Sequence, residues 1–286
     1  MTLEWKLARR SLPLGARTLV MGVLNVTPDS FSDGGEFFDP GRAVARAEEM
    51  VGEGADLIDV GGESTRPGGA PVPAGEELRR VVPVIQALAG RVAVPVSIDT
   101  TKAEVARAAL DCGAEIVNDI SGLRFEPALA DEAAGAGAGL VLMHSRGTAE
   151  ALHSQPPVAD IMAEVSAGLR RSVAEAVGRG VRRESLALDP GLGFGKSFEQ
   201  NVELLARLGC LAAEFRDFPL LVGASRKSFI GRLLGGAPPA ERLHGTTAAV
   251  VAAILRGARV VRVHDVRAAA EAARVADAIR AVSRES

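Results

Sequence analysis

Three polar residues that each end a short apolar run could together bind a flat ring rich in N–H donors. They are Asp99, Asn118 and Asp189. Carboxylates and amides accept hydrogen bonds from ring N–H groups, and a guanidine-like ring edge fits a carboxylate through two parallel bonds. Each residue alone could instead be a helix N-cap, since a helix-like segment follows Asp99 and capping is the commoner role of such residues. Taken together, the three residues favour a ligand site.

The last two apolar runs end in cations and hydrogen-bonding groups that suit an anion. Lys227 and Ser228 follow the seventh run, and Arg262 and His264 end the eighth. Two cations, a hydroxyl and an imidazole are suitable partners for a phosphate or a diphosphate. His264 taken alone could be a hydrogen-bonded core histidine, but Arg262 on the same strand face favours anion binding. His144 ends the fifth run without an evident partner, and its role stays open.

Two glycine-containing loops carry further groups that could bind a ligand. The segment 25–35, NVTPDSFSDGG, begins with an asparagine and carries two carboxylates, which suit a hard cation or a phosphate. The segment 61–68, GGESTRPG, places two hydroxyls and Arg66 among glycines that let a backbone approach a ligand closely. The plainer alternatives are a turn-rich surface loop for the first segment and a Glu63–Arg66 surface pair for the second.

The segment 189–197, DPGLGFGKS, resembles a phosphate-binding loop but fails the test. The pattern G-x-x-x-x-G-K-S requires glycine where Pro190 stands, and the dinucleotide pattern requires glycine where Lys196 stands. What remains is a loop that presents Phe194 near the ligand site. No HExxH pattern, zinc-type Cys/His spacing or G-x-S-x-G elbow occurs, so the sequence gives no support to a zinc or serine hydrolase.

Eight short apolar runs carry these polar residues, and helix-length segments separate the runs. The runs are 18–25, 57–63, 95–99, 116–119, 140–144, 186–189, 220–225 and 259–264. The helical segments are 40–54, 74–89, 101–111, 126–136, 158–178, 199–208, 238–256 and 266–282. Parallel strands buried on both faces read as near-continuous apolar runs. The pattern predicts an α/β protein with one domain over 1–286: a (β/α)8 TIM barrel at about 18–283, after a short N-terminal extension. In such barrels the active site lies at the carboxyl ends of the strands.

The composition narrows the class of protein. Apolar residues make up 47% of the chain, and the net charge of −3 offers no basic field for nucleic acid. No run approaches the ~20 apolar residues of a membrane span, and two cysteines without metal or redox spacing indicate reduced thiols. We therefore expect a soluble, cytoplasmic protein without nucleic-acid or membrane partners. The helix at 246–256 is apolar nearly all round, which predicts burial against the barrel and against a second subunit in a homodimer.

Taken together, the motifs resemble one family, the dihydropteroate synthases of folate biosynthesis. NVTPDSFSDGG, GGESTRPG, SIDT, NDI, LDPGLGFGK, SRKS and RVHDV occur in order along almost the whole chain. The resemblance implies a transferase that joins the diphosphate ester of 6-hydroxymethyl-7,8-dihydropterin to 4-aminobenzoate and releases diphosphate. It also implies Mg²⁺ as cofactor and inhibition by sulfonamides. A small departure is Ala149, where the family commonly has proline.

The resemblance assigns roles to individual residues. The pterin would be held by Asp99, Asn118, Asp189 and Lys227. The diphosphate would be held by Asn25, Arg262 and His264, with Mg²⁺ near Asn25. The 4-aminobenzoate pocket would be formed by Phe31, Thr65, Arg66, Pro67, Phe194 and Ser228. The expected catalytic residues are Asp99, Lys227, Arg262 and Asp33.

Two other functions share part of this pattern. A methyltransferase that moves the methyl group of methyltetrahydrofolate to a corrinoid protein would share the Asp/Asn pterin site. It would not be expected to carry NVTPDSFSDGG, SRKS or the Arg262/His264 pair. A catalytically silent barrel that only binds a pterin would be favoured by the loss of Asn25, Lys227, Arg262 or His264, and all four are present.

Overall fold

The computed structural model describes residues 3–27, 39–64, 71–152 and 155–282. Within these ranges the strands are β1 (Leu3–Lys6), β2 (Ser11–Leu14), β3 (Leu19–Asn25), β4 (Leu57–Gly61), β5 (Val96–Asp99), β6 (Ile116–Asp119), β7 (Gly139–Met143), β8 (Leu186–Asp189), β9 (Leu221–Val222) and β10 (Val260–Val263). The α-helices are α1 (Pro40–Glu53), α2 (Ala74–Leu88), α3 (Ala103–Asp111), α4 (Leu129–Ala136), α5 (Ile161–Gly178), α6 (Phe198–Ala206), α7 (Leu208–Glu214), α8 (Ser228–Leu233), α9 (Leu243–Leu255) and α10 (Val266–Val282). Each predicted apolar run overlaps one of the strands β3 to β10, and each predicted helical segment overlaps an α-helix.

Strands β3 to β10 form one parallel sheet in the order β8-β7-β6-β5-β4-β3-β10-β9. A parallel bridge between Leu188 and Leu220 joins the two edges of this sheet. The N–H of Leu188 also donates to the carbonyl of Pro219 at 2.9 Å. The sheet therefore closes on itself, and the predicted (β/α)8 barrel is confirmed.

Residues along each strand face alternately out of the barrel and into it, because side chains on a strand alternate between its two sides. Val20 and Leu24 of β3 lie in the large apolar cluster formed with the surrounding helices. Met21, between them, lies in a second cluster with Leu57 of β4 and Ile116 of β6. This second cluster fills the interior at the amino-terminal end of the barrel.

The N-terminal extension is an antiparallel hairpin that closes this end of the barrel. Strands β1 and β2 pair directly, and Trp5, Leu7 and Leu14 are buried in the interior cluster. The indole Nε1 of Trp5 donates to the carbonyl of Ser185 at 2.9 Å, just before β8. The sequence predicted an extension at this position but not its pairing or its role as a plug.

Asp99 is not the N-cap of the helix that follows it. Helix α3 begins at Ala103 after Lys102, and no side chain caps it from that position. Instead, the Ala103 N–H donates to Glu126 Oε2 at 3.0 Å. The capping alternative for Asp99 is therefore wrong, and its carboxylate is available to the barrel interior.

Two expectations from composition concern thiols and membranes. Cys112 and Cys210 are both free. Among the described residues, no helix combines the length and the apolar character needed to cross a membrane.

Candidate active site

A buried charge network occupies the carboxyl-terminal end of the barrel interior. From β10, Arg262 donates through Nε to Asp59 Oδ2 and through Nη2 to Asp99 Oδ2, both at 2.6 Å. The same oxygen of Asp59 accepts a bond from Asn118 Nδ2 at 3.0 Å. Strands β4, β5, β6 and β10 therefore contribute to one connected group, as inward-facing positions of a barrel allow.

Sequence reasoning missed Asp59, which is completely buried. It lies in the middle of an apolar run, two residues after Leu57, so it faces the interior at the next layer up. The signal was a carboxylate inside a strand where the run should be apolar on both faces. Oδ1 of Asp59 has no hydrogen-bond partner among the described residues. A buried acceptor without a partner is costly, so this atom is ready to receive a donor.

The network perturbs the titration of its members. Burial favours the neutral form of Arg262, but Asp59 and Asp99 outweigh it and raise the pKa of the guanidinium above its usual value. Burial raises the pKa of Asp99 to about 7, Arg262 opposes the shift, and Asp59 adds to it. Asp99 is therefore a carboxyl group that exchanges its proton near neutral pH.

Asp189 and Lys227 are two further charged groups beside this network, and they interact electrostatically with each other. Burial raises the pKa of Asp189, against the opposing charge of Lys227. Burial likewise lowers the pKa of Lys227 to about 8, against the charge of Asp189. Both also interact electrostatically with Arg262. The predicted pterin residues therefore converge at one end of the barrel.

The loop after β8 contacts both Asp189 and Lys227. Asp189 Oδ1 accepts a bond from the Gly191 N–H at 2.7 Å, and Lys227 Nζ donates to the carbonyl of Leu192. The Lys227 ammonium lies 4.5 Å from the centroid of the Phe194 ring, within the range of a cation–π contact. Phe194 is buried in a small apolar cluster that includes Met143.

The predicted anion-binding residues lie at adjoining strand ends. His264 Nδ1 lies 3.0 Å from Ser225 Oγ, and Asn25 ends β3 in register with Gly61 of β4. Ser228 is exposed at the first position of α8. In this structure Arg262, which was assigned to the diphosphate, is bound to two carboxylates.

A strained residue after β9 was not anticipated from the sequence. Arg226 has φ of 58°, a conformation that costs free energy for residues other than glycine. Its guanidinium donates to both oxygens of Asp265 at 3.0 and 2.5 Å, and its carbonyl accepts a bond from Arg242 Nη1 at 2.7 Å. These bonds hold the turn that presents Lys227.

Five predicted site residues lie outside the described residues: Phe31, Asp33, Thr65, Arg66 and Pro67. The base of the second loop is described. Lys102 Nζ lies 2.5 Å from both Glu63 Oε2 and Glu77 Oε2, and Arg80 Nη1 donates to the Gly62 carbonyl at 2.8 Å. The start of this loop is therefore anchored to α2 and to the turn before α3.

The imidazole of His144 faces away from the charge network. It packs on Gly168 of α5, where a Cβ would lie 2.4 Å from His144 Cδ2. Burial, followed by the charge of Lys196, lowers its pKa to about 2, so the ring is neutral. The backbone of His144 does contact the site, since its N–H donates to the Asp189 carbonyl at 2.9 Å.

Comparisons with known proteins show the family to which the chain belongs. A family model described as "Pterin binding enzyme" matches residues 21–264. The chain is 50% identical over 265 residues to the dihydropteroate synthase of Synechocystis, covering 93% of this chain and 91% of that one. It is 49% identical over 261 residues to the dihydropteroate synthase of Escherichia coli, covering 91% and 90% of the two chains.

Solved structures give the same result. The Xanthomonas albilineans dihydropteroate synthase with 4-aminobenzoic acid has a TM-score of 0.91 at 45% identity, covering 98% of this chain and 99% of that one. The Yersinia pestis enzyme with a sulfonamide drug complex has a TM-score of 0.90 at 42% identity and coverages of 98% and 100%. The Burkholderia cenocepacia enzyme complexed with 7,8-dihydropteroate has a TM-score of 0.89 at 42% identity and coverages of 100% and 99%. With its buried carboxylates and cations at the carboxyl end of a parallel barrel, this chain belongs to the dihydropteroate synthase family, the transferases of folate biosynthesis.

Proposed function

We propose that this chain condenses 6-hydroxymethyl-7,8-dihydropterin diphosphate with 4-aminobenzoate to give 7,8-dihydropteroate and diphosphate. The observation that carries the proposal is the convergence of Asp99, Asn118, Asp189 and Lys227 around Arg262 at one end of the barrel. The bound 4-aminobenzoic acid and 7,8-dihydropteroate named for two solved relatives support the choice of nucleophile and product.

The pterin ring is recognised through its donor-rich edge. Asp99 and Asp189 accept N–H bonds from this edge, Asn118 presents an amide, and Lys227 donates to a ring acceptor. The entropic cost of ordering the site is reduced because Asn118 and Asp189 are already buried and hydrogen-bonded before the ring arrives. The two carboxylates also stabilise positive charge that develops on the ring and its methylene carbon as diphosphate departs.

The diphosphate is held by Arg262, His264 and Asn25. Ser225 Oγ orients His264, and the ion pairs with Asp59 and Asp99 hold the Arg262 guanidinium in place. Asn25 supplies an amide oxygen, the kind of hard donor that Mg²⁺ prefers, and Mg²⁺ is commonly held by few protein ligands together with substrate phosphates. When bound, Mg²⁺ would neutralise negative charge on the leaving diphosphate.

The bond changes need no general base. The methylene C–O bond breaks and its electron pair leaves with diphosphate. The lone pair of the neutral aryl amine then forms the new C–N bond, and the amine proton passes to solvent. Loops 25–35 and 61–68, with Phe31, Asp33, Thr65, Arg66 and Pro67, position the amine beside Phe194 and Ser228 and exclude water.

The decisive experiment measures diphosphate release by the purified protein with Mg²⁺. We expect release only when the pterin diphosphate and 4-aminobenzoate are both present. A sulfonamide should raise the KM for 4-aminobenzoate without changing kcat, and a chelator should abolish release until Mg²⁺ is restored. Equal release without 4-aminobenzoate would indicate a pterin diphosphate hydrolase, and no release under any of these conditions would contradict the proposal.

We also propose that two copies associate and that the protein works in the cytoplasm. Helix α10 exposes Val275, Ile279 and Val282 along one side, next to the apolar helix α9. An apolar stripe of this kind is typical of an interface. A monomeric mass in solution at micromolar concentration would contradict the dimer.

A further inference from the structure

The proposed reaction leaves Lys196, which belongs to the loop 190–196 after β8, without a role. Its ammonium donates to three backbone carbonyls: Gly191 at 2.7 Å, Phe194 at 3.0 Å and His144 at 3.1 Å. An ammonium has three N–H donors, so each is matched by one acceptor. Lys196 therefore has no proton left to offer a substrate, unlike the lysine of a phosphate-binding loop.

The loop 190–196 folds around this ammonium in an unusual path. Gly191, Gly193 and Gly195 all have positive φ, at 68°, 84° and 68°. A Cβ on Gly191 would lie 1.9 Å from the His144 carbonyl oxygen, so this crossing is open only to glycine. The path turns the Gly191 and Phe194 carbonyl oxygens towards the point where they meet that of His144. Burial, followed by the charge of Lys227, lowers the pKa of Lys196, but three oxygens converging on its Nζ favour the charged form, because they would repel each other without a cation between them.

Two further side chains hold the same loop. Asn201 of α6 accepts the Gly193 N–H through Oδ1 at 2.6 Å and donates through Nδ2 to the Ser197 carbonyl at 2.7 Å. Arg146 Nη1 donates to the Gly195 carbonyl at 2.9 Å. The loop is thus fixed from the β7 side and from α6, with the Lys196 ammonium at its centre.

This loop carries the supports of the pterin residues. Its Gly191 N–H binds Asp189, its Leu192 carbonyl accepts a bond from Lys227, and its Phe194 ring lies under the Lys227 ammonium. A shift of the loop would therefore move both members of the Asp189–Lys227 pair.

We propose that Lys196 is a positioning residue for the pterin subsite, acting by holding loop 190–196 in the form that places Asp189 and Lys227. The inference rests on the proposed function, because it assumes that these two residues bind the pterin. It also gives the end of β7 a part in the site: the His144 carbonyl, rather than the imidazole, is one of the three oxygens that bind Lys196.

The test compares Lys196→Met with the wild-type protein by calorimetric titration of 6-hydroxymethylpterin and by steady-state kinetics. Met keeps the length of the side chain without the charge. We expect pterin affinity to fall by about tenfold to a hundredfold, as small misplacements of binding groups can cause. The KM for the pterin diphosphate should rise more than the KM for 4-aminobenzoate. Lys196→Arg should not restore binding, because a planar guanidinium cannot replace a compact ammonium among three converging carbonyls.

Arg280→Met is the matched control. Arg280 is another buried cation that donates to a backbone carbonyl, that of Ala258 at 3.2 Å, but it lies in α10 on the outside of the barrel. We expect this variant to unfold at lower urea concentration with pterin affinity within twofold of wild type. Equal losses of affinity in the two variants would show a general effect of destabilisation and would overturn the proposal.

Asn201→Ala provides a second route if Lys196→Met fails to fold, since it loosens the same loop without removing a buried charge. Its pterin affinity should fall in the same direction. Wild-type affinity in either folded loop variant would overturn the role of Lys196. Failure of the wild-type protein to bind the pterin would instead contradict the proposed function.

Discussion

The two ends of the barrel interior differ completely in chemistry although they share the same strands. On β4, Leu57 is followed two residues later by Asp59, and on β10, Val260 is followed by Arg262. The lower member of each pair lies in the apolar interior cluster, and the upper member lies in the charge network. One step of the strand repeat therefore separates an apolar layer that stabilises the fold from a charged layer that we propose binds substrate.

This difference shows how the fold accommodates a site whose buried charges lower the free energy of unfolding. Burying charges costs free energy even when they are paired, and the described site contains Asp59, Asp99, Asp189, Lys227 and Arg262 within one barrel mouth. The opposite end is sealed by the β1–β2 hairpin with its buried Trp5. Changes at the two ends should therefore separate activity from stability.

The largest effect is expected for Arg262→Met at the charged end. The variant leaves Asp59 and Asp99 buried without their shared cation, which costs about 3–5 kcal/mol in comparable buried pairs. Loss of the cation that we propose stabilises the departing diphosphate should also lower kcat/KM by about 10²–10³-fold. Urea unfolding and kinetics measure the two effects, and near-normal activity in the folded variant would remove Arg262 from the site.

A large effect on stability alone is expected for Trp5→Ala at the sealed end. Removing this fully buried side chain should cost about 3–5 kcal/mol of unfolding free energy. The kcat and both KM values, measured per folded molecule, should match the wild type because Trp5 bonds to Ser185 at the far end of the strands. A changed KM would show that the two ends are coupled and that their separation is incomplete.

The smallest effect is the pH dependence of the charged end. Asp99 with a pKa of about 7 and Lys227 with a pKa of about 8 should give pterin affinity an optimum between these values in the free enzyme. Affinity should rise up to tenfold per pH unit as Asp99 ionises and fall as Lys227 loses its proton. Calorimetric titrations from pH 6 to 9 (roughly the span of both groups) check this, and Asp99→Asn should remove the acidic limb only.

The same shift of Asp99 has a signed effect on stability. Its pKa is raised on folding, so from about pH 4 to about pH 7 the folded protein holds a proton that the unfolded chain has lost. Stability should therefore fall as pH rises through this window. Asp99→Asn should reduce the slope of the unfolding free energy against pH. Trp5→Ala should lower the unfolding free energy at every pH and leave that slope unchanged.

The sequence was sufficient to predict the barrel and most of the polar strand ends. Continuous apolar runs, each ending in a residue such as Asp99 or Asp189, indicate parallel strands and the face where they meet. Asp59 was missed because it interrupts a run rather than ending it. The role of the hairpin was missed because two short paired segments carry little periodicity, and β2 contains Pro13.

Other features depend on loop geometry that no periodic pattern encodes. The Gly191 and Phe194 carbonyls meet the His144 carbonyl at Lys196 through a loop with positive φ at Gly191, Gly193 and Gly195. The Arg226–Asp265 pair joins residues 39 positions apart, and its purpose is visible only once the strained turn at Arg226 is known. Such contacts can be identified only once the fold is known.

The way in which the barrel closes between β8 and β9 gives a bound substrate a role in holding the two strands together. In the described residues this seam has an isolated bridge at Leu188–Leu220, whereas β7 and β8 share four register pairs. Asp189 stands on one side of the seam and Lys227 on the other. A ring bound by both residues would bridge the two strands that share the fewest backbone contacts in the described barrel. Ligand binding should therefore stabilise the closed form of the barrel.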